Sequence, residues 1–292
     1  MVEAALRKQA PEVEIAIEII TTRGDENSGR SAEPIDRHAG RKGLFTGEIE
    51  RVLRDGRIDV AVHSAKDLPS DASDGLEICA ALPRAAVEDV LIGKSSGDFD
   101  ALPMGATIGT GSVRRHHQLR WLRPDLNIVD LRGNVPTRLR KLLANPWDAI
   151  VLARAGLERL GFDCSRGELL FEAKSLRAAV LPRDRFLPAG GQGIVALQVR
   201  SDDAEVRAVI GALGDRDALL CLRAEREFLR LLQGDCGTPV GVFAAIEDGV
   251  MAMRAQFFAG ESAEPRVAAT QGRLTDVEPE ALGAKLLELI HG

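Results

Sequence analysis

Between residues 107 and 153, short apolar segments alternate with segments of helical periodicity, and this alternation restricts the chain to few folds. Strands and helices are predicted in turn at 107–109, 113–122, 127–131, 135–143 and 149–153. A helix between two strands carries the chain back across a sheet. The pattern therefore predicts an α/β fold with mainly parallel strands.

The rest of the chain is less regular. Val13, Ile15, Ile17 and Ile19 alternate with other residues, which predicts a strand, and an apolar run at 58–62 predicts a buried one. After Gly193 the pattern predicts strands and helices at 194–199, 204–213, 216–232, 240–245, 250–258, 266–270 and 279–290. Successive strands closed by a helix indicate a separate α+β unit from about residue 216 onward.

A strong local excess of positive charge lies inside an acidic chain. The net charge is −6, yet residues 112–141 contain eight Arg or Lys and two acids, about +6 in total. This distribution predicts a specific anionic ligand. The overall acidity and the 4% aromatic content argue against a nucleic-acid partner.

No apolar run approaches the roughly 20 residues of a membrane helix, and the four cysteines show no zinc spacing.

The basic residues recur where a predicted strand passes into a helix. Ser112 is the predicted N-cap of one helix, and Arg114 and Arg115 follow in its first turn, where they oppose the helix dipole. An anionic ligand beside that turn would offset this unfavourable interaction. Asn134 repeats the arrangement between Arg132 and Arg138, and Arg159 follows a third strand. The ends of these strands are therefore the predicted anion site, although a solvated helix face is the alternative for any single pair.

Two further segments are candidates for chemistry. His63 and Ser64 point to opposite faces of a strand, so they do not form a nucleophilic pair, and Asp67 is the better candidate as a carboxylate facing positive charge. The alternative is an ordinary solvated turn.

Cys236 lies in a glycine-flanked loop that gives access to its sulfur, with an inert loop cysteine as the alternative. The sequence GQGIVA at 191–196 matches a dinucleotide motif but precedes a strand, so it is not taken as one.

Seven segments, taken together and in order, resemble the porphobilinogen deaminase (hydroxymethylbilane synthase) family. They are RKGLF at 41–45, DVAVHSAKDLP at 59–69, IGTGSVRR at 108–115, LRGNVPTR at 131–138, AGLERL at 155–160, LPAGGQG at 187–193 and GDCGTPVG at 234–241. The resemblance implies two α/β domains like type II periplasmic binding proteins and a C-terminal α+β domain. The implied boundaries are 1–82 with about 194–211, then 88–187, and finally 216–292.

The resemblance also implies a transferase of porphyrin biosynthesis. The family joins four porphobilinogen molecules head to tail, releases ammonia at each step, and forms linear hydroxymethylbilane. A dipyrromethane cofactor would be held by a thioether to Cys236, and Asp67 would be catalytic because a carboxylate can stabilise the cationic azafulvene left by loss of ammonia. The implied cofactor-binding residues are Ser64, Lys66, Thr110, Ser112, Arg114, Arg115, Arg138 and Gly156. The implied substrate-binding residues are Lys42, Arg132, Arg138 and Arg159.

Two departures from the family pattern qualify these expectations. The chain begins inside the family's first helix, without the preceding strand, so we expect this form to fold poorly and to be weakly active. His38 stands where the family commonly has lysine. A monomer in the cytoplasm, without nucleic-acid or membrane partners, is the expected setting. A non-catalytic anion-binding protein on the same fold, or an enzyme weakened by truncation, remains the alternative.

Overall fold

The computed structural model describes residues 1–20, 46–233, 238–260 and 264–291. In these ranges the helices are α1 (Val2–Gln9), α2 (Gly47–Arg54), α3 (Val113–Leu122), α4 (Val135–Ala144), α5 (Arg154–Glu158), α6 (Ala204–Gly211), α7 (Arg216–Leu231) and α8 (Pro279–His291). The strands are β1 (Ala61–Ser64), β2 (Leu76–Ala81), β3 (Asp89–Gly93), β4 (Thr107–Gly109), β5 (Asn127–Val129), β6 (Ala149–Ala153), β7 (Glu168–Phe171), β8 (Lys174–Val180), β9 (Val195–Arg200), β10 (Val240–Glu247), β11 (Val250–Phe257) and β12 (Arg266–Arg273). These strands form three sheets.

The largest of these sheets has the strand order β5-β4-β6-β3-β8-β7 and is called the second sheet here. Strand β4 pairs in parallel with β5 and β6, but the described pairs of β3 with β6, β3 with β8, and β7 with β8 are antiparallel. The strands at 107–153 are therefore parallel as predicted, but the prediction of mainly parallel strands is wrong for the sheet as a whole. The cause is local for β7 and β8, because Glu172 and Ala173 take positive φ values of 47° and 60° and close a tight hairpin.

Packing on both faces explains why the central strands β3 and β6 of the second sheet are nearly continuous apolar runs. Val90 and Ile92 of β3 pack in one core cluster with Leu139 of α4, while Leu91 packs in another with Leu119 of α3. Each of these five side chains is 0% exposed, so neither face of β3 meets solvent. The predicted α/β class is confirmed here, since helices cover both faces of a sheet.

The first sheet has the order β1-β9-β2, so its central strand comes from late in the chain. Both pairings of β9 are antiparallel. The predicted strand from Val13 to Ile19 is wrong: none of the strands in the described ranges pairs with it, and Ile17 and Ile19 are 70% and 89% exposed. Alternation of apolar residues alone does not make a strand when no neighbouring backbone accepts its hydrogen bonds.

The third sheet is the antiparallel meander β10-β11-β12, with α7 and α8 packed against it. Phe228 of α7 and Leu286 of α8 lie in the same core cluster as Met251 and Met253 of β11. Helix α7 also contributes Ala218 and Leu222 to the core beneath the first sheet. The predicted C-terminal α+β architecture is confirmed, while the domain boundaries stay predictions.

Two connections run side by side between the first and second sheets. Residues 82–88 lead from β2 to β3, and residues 181–194 lead from β8 back to β9. The amide of Leu82 donates to Val195 O at 3.0 Å, and that of Ala85 donates to Gly193 O at 3.0 Å. A Cβ on Gly193 would lie 2.5 Å from Ala85 O, and its φ is +87°, so the close approach requires glycine. The two sheets are thus joined by a hydrogen-bonded pair of segments.

Candidate functional site

A cavity of about 770 Å³ opens where the ends of β1, β4 and β6 meet the 181–194 connection and α7. Of the predicted site residues, it is lined by Ser64, Lys66, Asp67, Ser112, Arg114, Arg115, Arg138 and Gly156. All three strands end at the cavity, in agreement with the rule that α/β proteins bind ligands at the carboxyl ends of strands. The structure therefore brings eight of the predicted residues to one place.

Asp67 and Lys66 reach the cavity on a single turn of 3₁₀ helix, Ala65–Asp67, directly after β1. The amide of Ala65 donates to Ile194 O at 3.0 Å, which holds the start of the turn against the 181–194 connection. A Cβ on Gly191 would lie 2.9 Å from the carbonyl carbon of Ala65, and its φ is +72°, so glycine is needed for this contact. The turn is consequently fixed by backbone packing, with Asp67 exposed toward the cavity.

The strand β1 separates His63 from Ser64 as predicted. His63 is buried and its Nε2 lies 3.0 Å from Gln198 Oε1, whereas Ser64 is exposed and lines the cavity. Burial lowers the pKa of His63, which favours the neutral imidazole. A Ser–His pair is not formed.

On the opposite side, two capped helices begin at the cavity. Ser112 caps α3 by accepting from the Arg115 amide at 3.4 Å, and Asn134 caps α4 by accepting from the Thr137 amide at 3.0 Å. Both caps confirm the sequence prediction. Arg138, one turn into α4, donates from Nε to Gly133 O at 2.6 Å and lines the cavity.

Arg114 and Arg115 share a buried counter-ion that belongs to the chain itself. Asp89, at the start of β3, is 0% exposed. Its Oδ1 lies 2.7 Å from Arg115 Nη2, and its Oδ2 lies 2.9 Å from Arg114 Nη1. Burial would raise the pKa of Asp89, but the two guanidinium charges outweigh it and hold that pKa well below its usual range. The anion expected beside this helix start is thus supplied in part by the protein.

Further contacts fix the two guanidinium groups. Arg115 Nη1 donates to Val151 O at 2.9 Å, and Arg114 Nη1 donates to Leu187 O at 2.8 Å. The Nε atoms of both arginines are buried and have no hydrogen-bond partner among the described residues. Each arginine is therefore held in a fixed orientation with a donor left over.

Charge at the cavity is predominantly positive. Among its described lining residues, Lys66, Arg114, Arg115 and Arg138 are cationic and Asp67 is acidic. Burial lowers the pKa of Lys66 to about 8, against opposing contributions from Asp67 and Asp89. Burial also lowers the pKa of Arg138, although an arginine stays charged at neutral pH. The cavity suits a ligand with several carboxylates and one developing positive charge beside Asp67.

Three predicted site residues do not line this cavity. Thr110 accepts from the Ser112 amide at 3.2 Å, Arg132 pairs with Asp130 at 2.7 Å, and Arg159 donates to Gly193 O at 2.8 Å. Thr110 thus supports the turn before α3, and Arg159 joins the second sheet's helices to the 181–194 connection. Their predicted roles in binding cofactor or substrate stay predictions.

Two other predicted residues, Lys42 and Cys236, lie outside the described residues, as does His38. Thr238, two residues beyond Cys236 in sequence, lines the cavity. Leu229 and Val240, which lie on either side of Cys236 in sequence, line it as well.

The sequence reasoning missed two polar residues of this site, Asp89 and Gln192. Both are buried, at 0% and 1% exposure, and Gln192 Nε2 donates to Asp89 Oδ1 at 2.9 Å. Asp89 is the first residue of an otherwise apolar strand, and a single acid in such a strand could have indicated a buried, paired carboxylate. Gln192 gave no signal, because its partners lie 103 residues or more away in sequence.

Within the described ranges, no group of three or more His, Cys, Asp or Glu side chains could hold a metal ion. None of the helices in those ranges combines the length and the apolar character needed to cross a membrane.

Two family models match the chain. Residues 1–208 match the model described as "Porphobilinogen deaminase, dipyromethane cofactor binding domain", and residues 219–292 match "Porphobilinogen deaminase, C-terminal domain". Among solved structures, a periplasmic binding protein of Salmonella typhimurium with high arginine specificity is similar over 73% of this chain and 78% of its own chain, at 12% sequence identity and a TM-score of 0.38.

Curated relatives named porphobilinogen deaminase align over nearly the whole chain. The protein from Roseiflexus sp. (strain RS-1) is 43% identical, with 99% of this chain and 89% of the relative covered. That from Nitrobacter winogradskyi is 42% identical, with coverage of 96% and 83%. The two family models and these relatives each account for nearly the whole chain, and the chain belongs to the porphobilinogen deaminase family.

Proposed function

We propose that this protein is a porphobilinogen deaminase, a transferase that condenses four porphobilinogen molecules head to tail into hydroxymethylbilane with release of ammonia. The observation that carries the proposal is the placement of one exposed carboxylate, Asp67, in a cavity with four cationic side chains. Each porphobilinogen unit brings an acetate and a propionate, so a growing chain is a polycarboxylate. The cationic lining complements those groups, and Asp67 complements a cation that forms among them.

The cavity also fits the dipyrromethane cofactor that the family implies. Its volume, about 770 Å³, is in the range of small-molecule sites, and the buried Nε donors of Arg114 and Arg115 lack partners among the described residues. Ser64, Lys66, Ser112, Arg138 and Gly156 are the further lining residues that would hold it. When bound, this group supplies the pyrrole to which new units are joined.

Cys236 is the proposed attachment point of the cofactor. The described residue Thr238 lines the cavity, and two residues of chain span at most about 7 Å. The other three cysteines are less suited, because burial raises the pKa of Cys79 to about 11, that of Cys221 to about 12, and also that of Cys164. A thiol with so high a pKa is scarcely ionised at neutral pH and reacts slowly.

Each charged lining residue has a role in this proposal. Arg114, Arg115 and Arg138 bind and orient carboxylates, and Lys66 adds a fourth positive charge from the opposite side of the cavity. Asp67 stabilises the positive charge left when ammonia departs from porphobilinogen, and holds or moves the pyrrole N–H proton. Thr110, Arg132, Arg159 and Lys42 are proposed as additional contacts, on the family resemblance.

The proposal is tested by incubating the purified chain with porphobilinogen and measuring its consumption and the formation of the linear tetrapyrrole. Intact-protein mass spectrometry should find a covalent dipyrrole that Cys236→Ala abolishes and Cys79→Ala retains. A folded, unmodified chain that leaves porphobilinogen unchanged would instead favour the non-catalytic anion-binding protein. A monomer and a cytoplasmic location are also proposed, and light scattering and cell fractionation test them.

A further inference from the structure

Gln192 lies at the meeting point of the two halves of the cavity and has no role in the chemistry described above. It belongs to the 181–194 connection, is 1% exposed and lines the cavity. Its Nε2 donates to Val87 O at 2.7 Å and to Asp89 Oδ1 at 2.9 Å, and its Oε1 lies 3.5 Å from Lys66 Nζ. One side chain thus contacts Lys66 from the first sheet's side and Asp89 from the second.

The orientation of the Gln192 amide is decided by chemistry. Val87 O and the ionised Asp89 carboxylate are both acceptors, so the NH₂ group must face them. A flipped amide would place its oxygen against two other oxygens and lose both hydrogen bonds. The amide oxygen therefore faces the Lys66 ammonium, which has donors and no acceptor.

The backbone around Gln192 is held from three directions. The amide of Gly191 donates to Glu225 Oε2 of α7 at 2.6 Å, and Arg84 Nε donates to the carbonyl of Gln192 at 3.0 Å. Arg159 Nη2 donates to the carbonyl of Gly193 at 2.8 Å. The acceptor offered to Lys66 is consequently fixed in place before any ligand arrives.

The charged groups around Lys66 make this acceptor significant. Asp67 and Asp89 favour its protonated form, while Arg114 and Arg115 and its own burial disfavour it. Lys66 must therefore remain an ammonium close to two guanidinium groups, and a fixed neutral oxygen on its inner side supports that state.

We propose that Gln192 is a positioning residue that ties the Lys66 ammonium to the Asp89–Arg115 pair, so that both halves of the cavity present their cations to one polycarboxylate at a fixed spacing. The inference rests on the proposed function for the identity of that polycarboxylate. It assigns Gln192 no direct part in bond making or breaking.

The test compares Gln192→Met with Gln198→Met. Methionine keeps the side-chain length and removes the hydrogen bonds. Gln198 is a matched control, because it is also buried, bonds His63 and Glu50 through its side chain, and does not line the cavity. We expect Gln192→Met to raise KM for porphobilinogen about tenfold while kcat changes less than about threefold. Gln198→Met should lower the melting temperature but should not raise KM selectively over kcat.

A second readout needs no substrate. NMR titration of ¹³C-labelled lysine, assigned with Lys66→Arg, gives the pKa of Lys66 directly. The wild-type pKa should lie near 8, and Gln192→Met should lower it, because the ammonium loses an acceptor. Gln198→Met should leave it unchanged.

The outcomes separate the two proposals. If the wild type does not consume porphobilinogen, the proposed function fails, yet the Lys66 titration still tests Gln192. Equal shifts in both methionine variants, or an unchanged Lys66 pKa in Gln192→Met, would overturn the positioning role. If Gln192→Met does not fold, Gln192→Asn keeps an amide one methylene too short to span both partners. It should lower the pKa of Lys66 and raise KM in the same way, and wild-type values in that variant would refute the role.

Discussion

The carboxylate of Asp89 lies 2.7 Å from the guanidinium of Arg115, and Asp89 is wholly buried. Arg114 shares the same carboxylate from the same turn of α3. The positive charge at the start of that helix, which is unfavourable by itself, is therefore partly neutralised before a ligand binds. This leaves the two guanidinium groups oriented, so that the carboxylates proposed to bind in the cavity would meet an arrangement that is already formed.

Removing Asp89 should destabilise the fold strongly. Asp89→Ala leaves two buried guanidinium groups without their counter-ion, and we expect a loss of about 3–5 kcal/mol in the free energy of unfolding. Urea denaturation measures it. The control is Asp100→Ala, whose pair with Arg185 is exposed and should contribute no more than about 1 kcal/mol. Similar losses of unfolding free energy in both variants would show that the buried ion pair stabilises the fold no more than the exposed one.

Asp67→Asn should abolish most turnover and leave the fold intact. Asp67 is exposed in the cavity, so the amide fits, but it can neither stabilise a cation nor hold a proton. We expect kcat to fall about 10²–10⁴-fold with little change in melting temperature. Asp74→Asn, an exposed aspartate outside the cavity, should behave as wild type. Near-normal turnover in Asp67→Asn would exclude a catalytic role for this residue.

The pH dependence of kcat/KM should report Lys66. Its pKa of about 8 means that the ammonium binds carboxylates below pH 8 and loses its charge as the pH rises through that value. The wild-type profile should therefore fall above about pH 8. In Lys66→Arg the positive charge persists, because the intrinsic pKa of arginine is several units above 8. The alkaline fall in kcat/KM should therefore move up by about 2 pH units or more. Lys94→Arg, whose ammonium bonds Asn145 O outside the cavity, should keep the wild-type profile. An unshifted fall in Lys66→Arg would assign it to another group.

Two arginines that look alike in sequence should differ in function. Arg138 lines the cavity, whereas Arg132 pairs with Asp130 and does not. Arg138→Ala should raise KM for porphobilinogen at least about tenfold, the loss expected for one charged hydrogen bond. Arg132→Ala should change KM by less than about threefold. Steady-state kinetics of both variants decide the matter, and a larger effect of Arg132→Ala would favour the role implied by family resemblance.

Features set by neighbouring residues were predictable from the sequence. Ser112 and Asn134 cap their helices as expected, because an N-cap needs only a side-chain oxygen and the next three residues. The strand β1 separates His63 from Ser64 because side chains alternate along any strand. The motif order was likewise sufficient to identify the family.

Features that need a distant partner were not predictable in this way. Residues 13–19 do not form the predicted strand, because none of the strands in the described ranges pairs with them. Strand β3 pairs antiparallel with β6 and β8, so the sheet is not mainly parallel. Of the eight basic residues at 112–141, the described cavity lining includes Arg114, Arg115 and Arg138. The others include Arg123, which pairs with Asp125, and Arg140, which pairs with Glu172. A charge count cannot distinguish a ligand-binding arginine from one paired on the surface.

The sequence by itself determined the helix starts, the apolar strands, the local excess of positive charge and the family. The tertiary structure decided which cations meet, and it supplied Asp89 and Gln192 as the groups that hold them. The physical reason is range: capping and side-chain alternation act over a few residues, whereas a buried charge is stable only beside a counter-ion that the fold brings from elsewhere in the chain.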